Sequence, residues 1–364
     1  MAAAAGAATE IEAACLIAAT TAIFAVLGIH ADDAETVAAD LVSADLEGIA
    51  SHGVMLVPLY VERLIKGSVS KRRLGEVVSD NAGAVVIDAG NALGQLTARQ
   101  AVKLAVEHAR EHALAAVAVR NAFHFGTAGR YARLMAADGC VGIVMCNTRP
   151  LLPAPGGAEA LVGNNPIAIA LPSAGEFPVE VDMALSATAM GKIRLAAAAA
   201  NSIPPDWAVD AEGRPTTDPA EAIKGMLLPA AGPKGFGLAF VIDLLCGGLS
   251  GGGVGSGVRP LCGDPAEPYR CAQFFLAIDV GQFGDVAVFA ERVRDQAARA
   301  SACKRSPGVE RVYAPGELVW ASERASHGIC RLDVQTLRSV AQAAARAGVS
   351  DFERILNRKV VDQS

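Results

Sequence analysis

Between residues 84 and 148, short continuous apolar runs alternate with stretches whose apolar residues recur at helical spacing. A short continuous apolar run is typical of a strand buried on both faces of a sheet, whereas the helical period indicates a helix packed against that sheet. The predicted order is strand, helix, strand, helix, strand, at Ala84–Ala89, Thr97–His112, Leu114–Arg120, Thr127–Asp138 and Cys140–Thr148. This alternation predicts an α/β fold in which helices cover a central sheet.

Both ends of the chain are instead predicted to be helical. Helices are expected at residues 8–29, from Asp32 to Leu46, and over Val54–Lys66, where Gly67 follows as a terminator. Further helices are expected near the C-terminus, at Asp285–Ala302, Val334–Ala347 and Asp351–Asn357. A chain of 364 residues exceeds the size of most single hydrophobic cores, so about two domains are expected.

The middle of the chain is rich in turns. The predicted elements are strands at Ile167–Leu171, Val179–Val181 and Ala272–Val280 and helices at Ser186–Ala200 and Phe236–Leu249. The glycine cluster Gly247–Gly257 follows a helix, whereas the glycine loop of a dinucleotide-binding fingerprint follows a strand and opens a helix. No G-x-G-x-x-G or Walker A pattern occurs in the sequence, so the cluster is interpreted as a mobile loop.

The charge and the cysteines restrict the possible partners. The formal net charge is −6, and no basic cluster offsets it, which argues against a nucleic acid or an anionic membrane surface. The eight cysteines are dispersed without a C-x-x-C pair, which favours reduced thiols in a cytoplasmic protein. The apolar run Ala13–Gly28 is shorter than the roughly 20 residues of a membrane-spanning helix and is interpreted as a buried helix.

The polar triplet Ser51-His52-Gly53 separates two predicted helices and is the first candidate for chemistry. Histidine changes its charge near neutral pH, so His52 could carry a proton at a carbonyl or hydroxyl group. Ser51 could hydrogen-bond the substrate oxygen or the imidazole, and Gly53 allows the backbone to bend. The alternative is that His52 is a polar linker or a core histidine with satisfied hydrogen bonds.

Three further polar residues lie in loops or at a helix start. His124 follows a buried strand, the preferred location of ligands in open α/β sheets, or it is packed between aromatic residues for loop stability. Asp182 could orient an imidazole or hold a cofactor hydroxyl, or it caps a turn. Lys234, between glycines, could pair with a phosphate or carboxylate, or it is a solvated surface lysine.

His108, Glu111 and His112 match the inverted zinc-protease pattern H-x-x-E-H. They lie at the end of a charged predicted helix, and the sequence nominates no further protein ligand for a metal. A solvated helix face is the preferred interpretation, and no metal site is predicted.

A set of short motifs resembles one known family along essentially the whole chain. In order, they are ADLEGIASHG, NAFHFGTAGRYA, CNTRP, GNNPIAIALP, DMALSATAMGKI, PTTDPAEA, GPKGFGLA and APGE. The same order is found in the malate/L-lactate dehydrogenase type 2 family, which includes malate, sulfolactate and ureidoglycolate dehydrogenases, the diketogulonate reductase and cyclic ketimine reductases. The resemblance implies an NAD(P)-dependent oxidoreductase with a non-Rossmann α/β fold and a central mixed sheet.

The resemblance also implies a domain organisation and an assembly. Residues 1–75 and 285–364 would form a discontinuous helical domain, and residues 76–284 a central α/β domain that binds cofactor and substrate. Members of the family form intimate homodimers, so a homodimer is expected here. The resemblance does not distinguish NAD from NADP.

Site residues are carried over by similarity. His52 would be the proton donor and acceptor, with Ser51 beside it, Asp182 orienting it and His124 at the same site. Family members differ over which histidine is credited with proton transfer. The cofactor contacts implied by the resemblance are Thr148, Asp182, Met183, Ala184, Lys234, Gly235, Pro315, Gly316 and Glu317.

Several positions depart from the family pattern. Glu47 stands where many members carry arginine, Ala50 where they carry aspartate, and residues 121–124 read Asn-Ala-Phe-His where Asn-Ser-Asn-His is usual. Leu56 replaces an arginine thought to grip the substrate carboxylate. Either another cation takes that role, with Arg149 and Arg194 as the candidates, or the substrate is less acidic and more apolar.

The predicted reaction is hydride transfer between nicotinamide and the α-carbon of a 2-hydroxy/2-oxo acid, with a proton moved by His52. Reduction of a cyclic ketimine by the same machinery is the nearest alternative. An inactive paralogue that binds a small acid is the third possibility, because of the changes at Glu47, Ala50 and Leu56.

Overall fold

Strands and helices alternate through residues 8–357, the part of the chain that the computed structural model describes. In chain order the strands are β1 (Ala8–Glu12), β2 (Glu76–Asn81), β3 (Ala84–Asp88), β4 (Leu114–Ala122), β5 (Cys140–Cys146), β6 (Leu152–Pro153), β7 (Ala160–Val162), β8 (Ile167–Leu171), β9 (Val179–Met183), β10 (Ala208–Val209), β11 (Met226–Leu227), β12 (Cys271–Asp279) and β13 (Ile329–Asp333). The helices are α1 (Ala13–Val26), α2 (Ala31–Leu46), α3 (Val57–Lys66), α4 (Gly94–His112), α5 (Ala128–Ala137), α6 (Met190–Ala198), α7 (Pro219–Lys224), α8 (Pro233–Asp243), α9 (Val286–Ser301), α10 (Glu317–Ser326), α11 (Val334–Ala347) and α12 (Phe352–Leu356).

A seven-stranded mixed sheet in the order β2-β3-β4-β12-β5-β8-β9 forms the centre of the fold. The pair β3 and β4 is parallel and is connected by α4, whereas all other neighbouring strands in this sheet are antiparallel. β4 and β5 follow each other in sequence but do not pair, because β12 lies between them. The prediction of a central mixed sheet with helices is therefore confirmed.

Small residues bring α4 and α5 close to one face of this sheet. In α4 the buried residues Ala98, Ala101, Ala105 and Ala109 recur at helical spacing, and this helix packs on β4 and β12. α5 packs on β5 and β8, where a Cβ on Gly142 would lie 2.5 Å from the carbonyl oxygen of Ala132. The π-helical turn that follows α8 contacts β4 and β12 and belongs to a second core.

The two ends of the chain pack against each other. β1 pairs antiparallel with β13, α1 contacts α12, and α3 contacts α11. The predicted helix at residues 8–29 is therefore wrong for residues 8–12, whose backbone groups pair with β13 and whose Ile11 alone is buried. The helix α1 that follows buries Leu16 and Ile23, as expected. No helix within residues 8–357 has both the length and the apolar character that crossing a membrane requires.

Some predicted boundaries differ from the observed ones for local reasons. α4 begins at Gly94, so Thr97 lies inside the helix, where its hydroxyl donates to the Gly94 carbonyl. β9 continues to Met183, which places Asp182 within the strand. α6 begins only at Met190, because Ser186 forms a bridge with Pro229. Several elements were not predicted: the strand β2, which is largely exposed, the helices α7 and α10, the strand β13 and the short strands β6, β7, β10 and β11.

The glycine cluster at 247–257 is an ordered connection held by side chains beneath it. The Gly255 amide donates to Asp243 at 2.8 Å, and Asn147 donates to the Gly253 carbonyl at the same distance. A Cβ on Gly247 would lie 2.2 Å from the Gly253 carbonyl oxygen, so the chain requires glycine where it folds back on itself. The interpretation as a mobile loop is not supported by these contacts.

Candidate active site

A cavity of about 860 Å³ lies beside the ends of β4, β5 and β9. Its walls come from residues 47–52, 124–133, 146–166, 180–194, 260–271 and 315–319. A volume of this size suits a small organic ligand or part of a larger cofactor. His52, His124 and Asp182, which are distant in sequence, all line it.

His52 is held in a 3₁₀ turn (Ala50–His52) that follows α2. Asp45 fixes this turn, because its carboxylate accepts a 2.8 Å hydrogen bond from the Val54 amide. Burial raises the pKa of Asp45 to about 6, against that hydrogen bond, which lowers it. A Cβ on Gly53 would lie 2.1 Å from the Asp45 carboxylate, so glycine is required there. The Ser51 hydroxyl lies 3.0 Å from Nδ1 of His52, as predicted for a serine that contacts the imidazole.

His124 follows β4 and is fixed through its Nδ1 atom. The Tyr60 hydroxyl lies 2.8 Å from this nitrogen and receives a hydrogen bond from Gln95 at 3.0 Å. The Gly126 amide, which can only donate, also points at Nδ1 at 3.4 Å. The Tyr60 hydroxyl also donates to the His124 carbonyl oxygen at 3.0 Å, so the Gly126 amide is the contact that identifies Nδ1 as an acceptor. On this basis we assign the proton of the neutral ring to Nε2.

The two imidazoles form a coupled pair. Their ring centroids are 5.4 Å apart, and the rings are stacked with an interplanar angle of 27°. Burial lowers the pKa of His124 to about 3, and the neighbouring His52 contributes in the same direction. Burial also lowers the pKa of His52 below its ordinary value. Both rings are thus neutral at pH 7. Desolvation opposes protonation of either ring, and once one ring is protonated, charge repulsion also opposes protonation of the other.

This arrangement predicts a pH-dependent stability. The pKa of His124 is about 3 in the folded state and about 6.5 when unfolded, so the unfolded chain binds the extra proton between these values. The free energy of unfolding should therefore fall as the pH drops below about 6.5. We expect the free energy of unfolding, measured with urea, to fall less between about pH 7.5 and about pH 5 in His124→Gln than in the wild type. The exposed-residue variant His112→Gln is the control, and an equal loss in His124→Gln and the wild type would refute the assignment.

Asp182 does not make the predicted contact with His52. Its Oδ2 atom accepts a 2.7 Å hydrogen bond from the amide of Gly129, in the first turn of α5. That amide has no partner within its helix, and the extension of β9 brings the carboxylate to it. Desolvation raises the pKa of Asp182, whereas the Gly129 hydrogen bond lowers it. The recorded side-chain partner of His52 is Ser51 instead.

Glu47 belongs to a buried ion-pair group. Arg133 donates to Glu47 at 2.5 Å and to Glu180 at 2.7 Å. Burial raises the pKa of Glu180, against the charge of Arg133, which lowers it. Together with Asp182, these residues place three carboxylates and one guanidinium along one side of the cavity. This side therefore carries excess negative charge when all groups are ionised.

Four of the predicted cofactor contacts other than Asp182 line the cavity: Thr148, Ala184, Pro315 and Gly316. The Thr148 hydroxyl donates to Asn164 at 2.9 Å, and its amide donates to Asn165 at the same distance. Gly316 has a φ of +85°, and a Cβ there would lie 2.6 Å from the Pro178 carbonyl oxygen. Glycine is therefore required where the 315–319 segment contacts β9.

The other predicted cofactor contacts do not line this cavity. The Glu317 carboxylate is turned inward, where it binds the Ser301 hydroxyl, Arg311 and the Ala314 amide. Gly235 has a packing reason for being glycine, because a Cβ would lie 1.9 Å from the Ala230 carbonyl oxygen. Met183 and Lys234 are exposed, and neither residue lines the cavity, although Met183 lies between lining residues of β9.

The residues Tyr60, Gln95, Arg133 and Glu180 were not predicted to contribute to the site. Tyr60 lies on α3, a different element from the 3₁₀ turn that carries His52, and the apolar pattern of α3 indicated only core packing. The sequence therefore carried no signal that placed Tyr60 at the site. Arg149 and Arg194, the two cations considered as replacements for the missing arginine, both line the cavity.

The H-x-x-E-H segment has no metal-binding geometry. His108 binds the Ala82 carbonyl through Nδ1 at 2.6 Å, and its ring centroid is 6.3 Å from that of His112. Across residues 8–357, no three His, Cys, Asp or Glu side chains are grouped so that they could hold a metal ion.

A prediction concerns Gly94, which supports the His124 loop. A Cβ on Gly94 would lie 2.4 Å from the carbonyl oxygens of both Phe123 and His124. Gly94→Ala should therefore displace the loop, destabilise the protein by about 1–3 kcal/mol and lower activity. Gly191→Ala, where a Cβ meets nothing within 4 Å, is the matched control. Chemical unfolding of both variants tests this, and equal stabilities would contradict the proposed role of Gly94.

Comparison with known proteins identifies the family. A model of the malate/L-lactate dehydrogenase family matches residues 11–340. The chain belongs to this family. It is therefore a member of a family of dehydrogenases, as its motifs predicted, and the identification as an oxidoreductase is confirmed.

Curated relatives support this assignment over most of their length. A malate dehydrogenase of Pyrococcus abyssi is 33% identical over 337 residues, which are 90% of this chain and 92% of that protein. A ureidoglycolate dehydrogenase (NAD(+)) of Escherichia coli K12 is 35% identical, covering 80% of this chain and 82% of the relative. A (2R)-3-sulfolactate dehydrogenase (NADP(+)) of Chromohalobacter salexigens is 36% identical, with 71% and 78% covered.

Solved structures share the fold. The sulfolactate dehydrogenase of Methanocaldococcus jannaschii superposes with a TM-score of 0.89 at 31% identity, covering 95% of this chain and 99% of the other. A delta1-piperideine-2-carboxylate reductase of Pseudomonas syringae pvar. tomato gives a TM-score of 0.82 at 28% identity, with 92% and 100% covered. The relatives and structural neighbours thus include proteins named as dehydrogenases of malate, ureidoglycolate and sulfolactate and one named as a delta1-piperideine-2-carboxylate reductase.

Proposed function

We propose that this chain catalyses NAD(P)-dependent hydride transfer between nicotinamide and the α-carbon of a 2-hydroxy/2-oxo acid. The observation that carries this proposal is the pair of stacked neutral histidines, His52 and His124, in the wall of the cavity. Such a pair can exchange a proton with a substrate oxygen and donate a second hydrogen bond to it. The malate and ureidoglycolate dehydrogenases among the relatives act in name on substrates of this class.

In this proposal His52 moves the proton. During oxidation its neutral ring accepts the proton of the substrate hydroxyl, with Ser51 at its Nδ1 atom. During reduction the ring first takes up a proton from solvent, and this imidazolium form gives the proton to the substrate oxygen. His124 donates from Nε2 to the same oxygen, because its Nδ1 atom is engaged by Tyr60 and Gly126. Tyr60 and Gln95 are positioning residues, since they act through His124.

The cavity walls suit a nicotinamide cofactor, which supplies or accepts the hydride when bound. Thr148, Ala184, Pro315 and Gly316 would hold it, since all four line the cavity and two of them present small or absent side chains. Gly126 adds open space beside His124, because a Cβ there would meet nothing within 4 Å. We include NAD and NADP as cofactors, as both are named among the relatives.

We further propose the domain organisation that the family resemblance implied. A helical domain formed by residues 1–75 and 285–364 is supported, within the described residues 8–75 and 285–357, by the pairing of β1 with β13 and by the packing of α3 on α11. Residues 1–7 and 358–364 of this domain lie outside the described part of the chain. Residues 76–284 would form the central domain. Binding of the cofactor without a Rossmann unit is supported by the sheet, in which only one neighbouring pair of strands is parallel.

A homodimer and a cytoplasmic location complete the proposal. The outer face of α8 and of the turn after it exposes Leu238, Phe240, Val241 and Leu244, an apolar surface suited to a second copy of the chain. The cytoplasmic location rests on the dispersed cysteines, which include no C-x-x-C pair and therefore favour a reducing compartment. Light scattering should show a dimer for the wild type and a monomer for Val241→Glu. A monomeric wild type would contradict the dimer.

A cyclic imine is the second candidate substrate. A protonated imine nitrogen would be stabilised by the acidic side of the cavity at Glu47, Glu180 and Asp182, and one structural neighbour is named as a reductase of such a compound. A panel of 2-oxo acids and cyclic imino acids, each assayed with NADH and NADPH at 340 nm, separates the two candidates. Cofactor binding without turnover of any panel member would favour the inactive paralogue instead.

A further inference from the structure

The cavity wall contains three arginines that differ in how they are neutralised. Arg133 is paired with Glu47 and Glu180. Arg149 and Arg194 form no ion pair with any carboxylate of residues 8–357 and both line the cavity. A cation that faces a ligand cavity without a protein counter-charge is suited to bind an anionic group of the ligand.

Arg149 is the more strongly positioned of these two cations. It follows β5, and the backbone beside it is fixed by the hydrogen bond from the Thr148 amide to Asn165. Its guanidinium makes one long hydrogen bond of 3.4 Å, to the carbonyl oxygen of the adjacent Pro150, which leaves its other donors available. Arg149 is half-buried, whereas Arg194 is exposed on α6, where water competes with a bound carboxylate.

Tyr269 provides a second donor beside Arg149. Only 6% of the Tyr269 surface is exposed, and its hydroxyl has no hydrogen-bond partner within residues 8–357. This oxygen is not among the fully buried unpartnered atoms of the described residues, so it reaches the cavity that Tyr269 lines, where a ligand oxygen could accept its hydrogen bond. Burial raises the pKa of Tyr269, and the charge of Arg149 acts on this hydroxyl in the opposite direction. The Tyr269 ring contacts the edge of Phe123, the neighbour of His124, with centroids 6.2 Å apart.

We propose that Arg149 and Tyr269 form the carboxylate subsite of the cavity. They would bind the carboxylate of a small 2-oxo or 2-hydroxy acid whose adjacent oxygen lies against the two histidines. The identity of the ligand as such an acid rests on the proposed function. Leu56 then needs no cation at its own position, because Arg149, after β5, and Tyr269, before β12, bind the carboxylate.

Oxamate and oxamide provide a matched pair of probes. Both carry one amide group, but the other end of the molecule is a carboxylate in oxamate and a second amide in oxamide. Calorimetric titration of the full chain, with and without NADH, should show tighter binding of oxamate than of oxamide. Arg149→Met should weaken oxamate binding by about 10- to 100-fold, the loss expected for hydrogen bonds between charged groups. Tyr269→Phe should weaken it by about 3- to 10-fold. Neither variant should change the weak binding of oxamide.

Arg194→Met is the matched control and should change oxamate binding by no more than about twofold. Circular dichroism establishes that each variant is folded. Wild-type oxamate affinity in Arg149→Met, or a loss confined to Arg194→Met, would overturn the inference, as would equal binding of oxamate and oxamide to the wild type. The binding test does not depend on turnover. If the wild type binds oxamate through Arg149 but reduces none of the 2-oxo acids or cyclic imino acids of the panel, the proposed reaction is refuted and the carboxylate subsite is retained.

Discussion

Replacing His52 with glutamine is expected to lower turnover by about 10²- to 10⁴-fold, the usual contribution of general acid–base catalysis. Glutamine approximates the size of the imidazole but cannot carry the proton. Because the Ser51 contact and the rest of the cavity do not depend on the ring's proton, NADH binding should stay near normal. Fluorescence titration with NADH and absorbance assays at 340 nm measure the two quantities separately.

The pH profile gives this prediction a second, independent measurement. Burial lowers the pKa of His52, so the neutral base predominates at pH 7, and oxidation of a hydroxy acid should slow only as the pH falls below about 6.5. That decline should disappear in His52→Gln. His124→Gln is the comparison variant, because its amide can still donate near the position of Nε2, and it should retain more activity. Wild-type turnover in His52→Gln would end the assignment of His52 as the proton carrier.

Replacing Arg63 with methionine is expected to destabilise the protein by about 3 kcal/mol or more. Arg63 is 1% exposed and donates to the carbonyl oxygens of Leu261 at 2.8 Å and Glu267 at 2.6 Å. Each buried carbonyl left without a donor costs about 1–3 kcal/mol. The same hydrogen bonds hold the 260–267 segment, which contributes Pro260, Leu261 and Cys262 to the cavity wall, so substrate affinity should fall as well.

Urea unfolding followed by circular dichroism measures the first effect, and oxamate titration below the unfolding transition measures the second. Arg73→Met is the matched control, because Arg73 pairs with Asp33 with half of its side chain exposed, and this substitution should destabilise the protein much less than Arg63→Met. An Arg63→Met protein as stable as Arg73→Met, with unchanged oxamate affinity, would show that the carbonyl contacts contribute nothing.

Local patterns in the sequence were sufficient for most helices and strands. Two kinds of local pattern were enough: the apolar runs of β3, β4 and β5, and the alanine face of α4. Each pattern lies within a single stretch of sequence, so no distant residue is needed to predict the element. The insertion of β12 between β4 and β5 could not be predicted, because no local signal specifies which distant strand fills a gap in a sheet. The pairing of β1 with β13 was missed for the same reason.

The site was partly predictable. The motif resemblance nominated His52 and His124, and both line the same cavity. It did not predict that Asp182 binds the Gly129 amide. That contact exists only because tertiary packing places β9 beside the first turn of α5. Nor did it predict that Glu317 points inward, because the position of Arg311 and Ser301 depends on tertiary packing.

The central claim is that this cavity transfers a hydride to the carbon beside a carboxylate. The most direct test incubates the wild type with each panel substrate and NADH or NADPH carrying deuterium on either face of nicotinamide C4. Mass spectrometry and NMR of the product then locate the label. The account predicts deuterium at the α-carbon of one product, from one face of the cofactor. Absence of label from every product with both cofactors would contradict it.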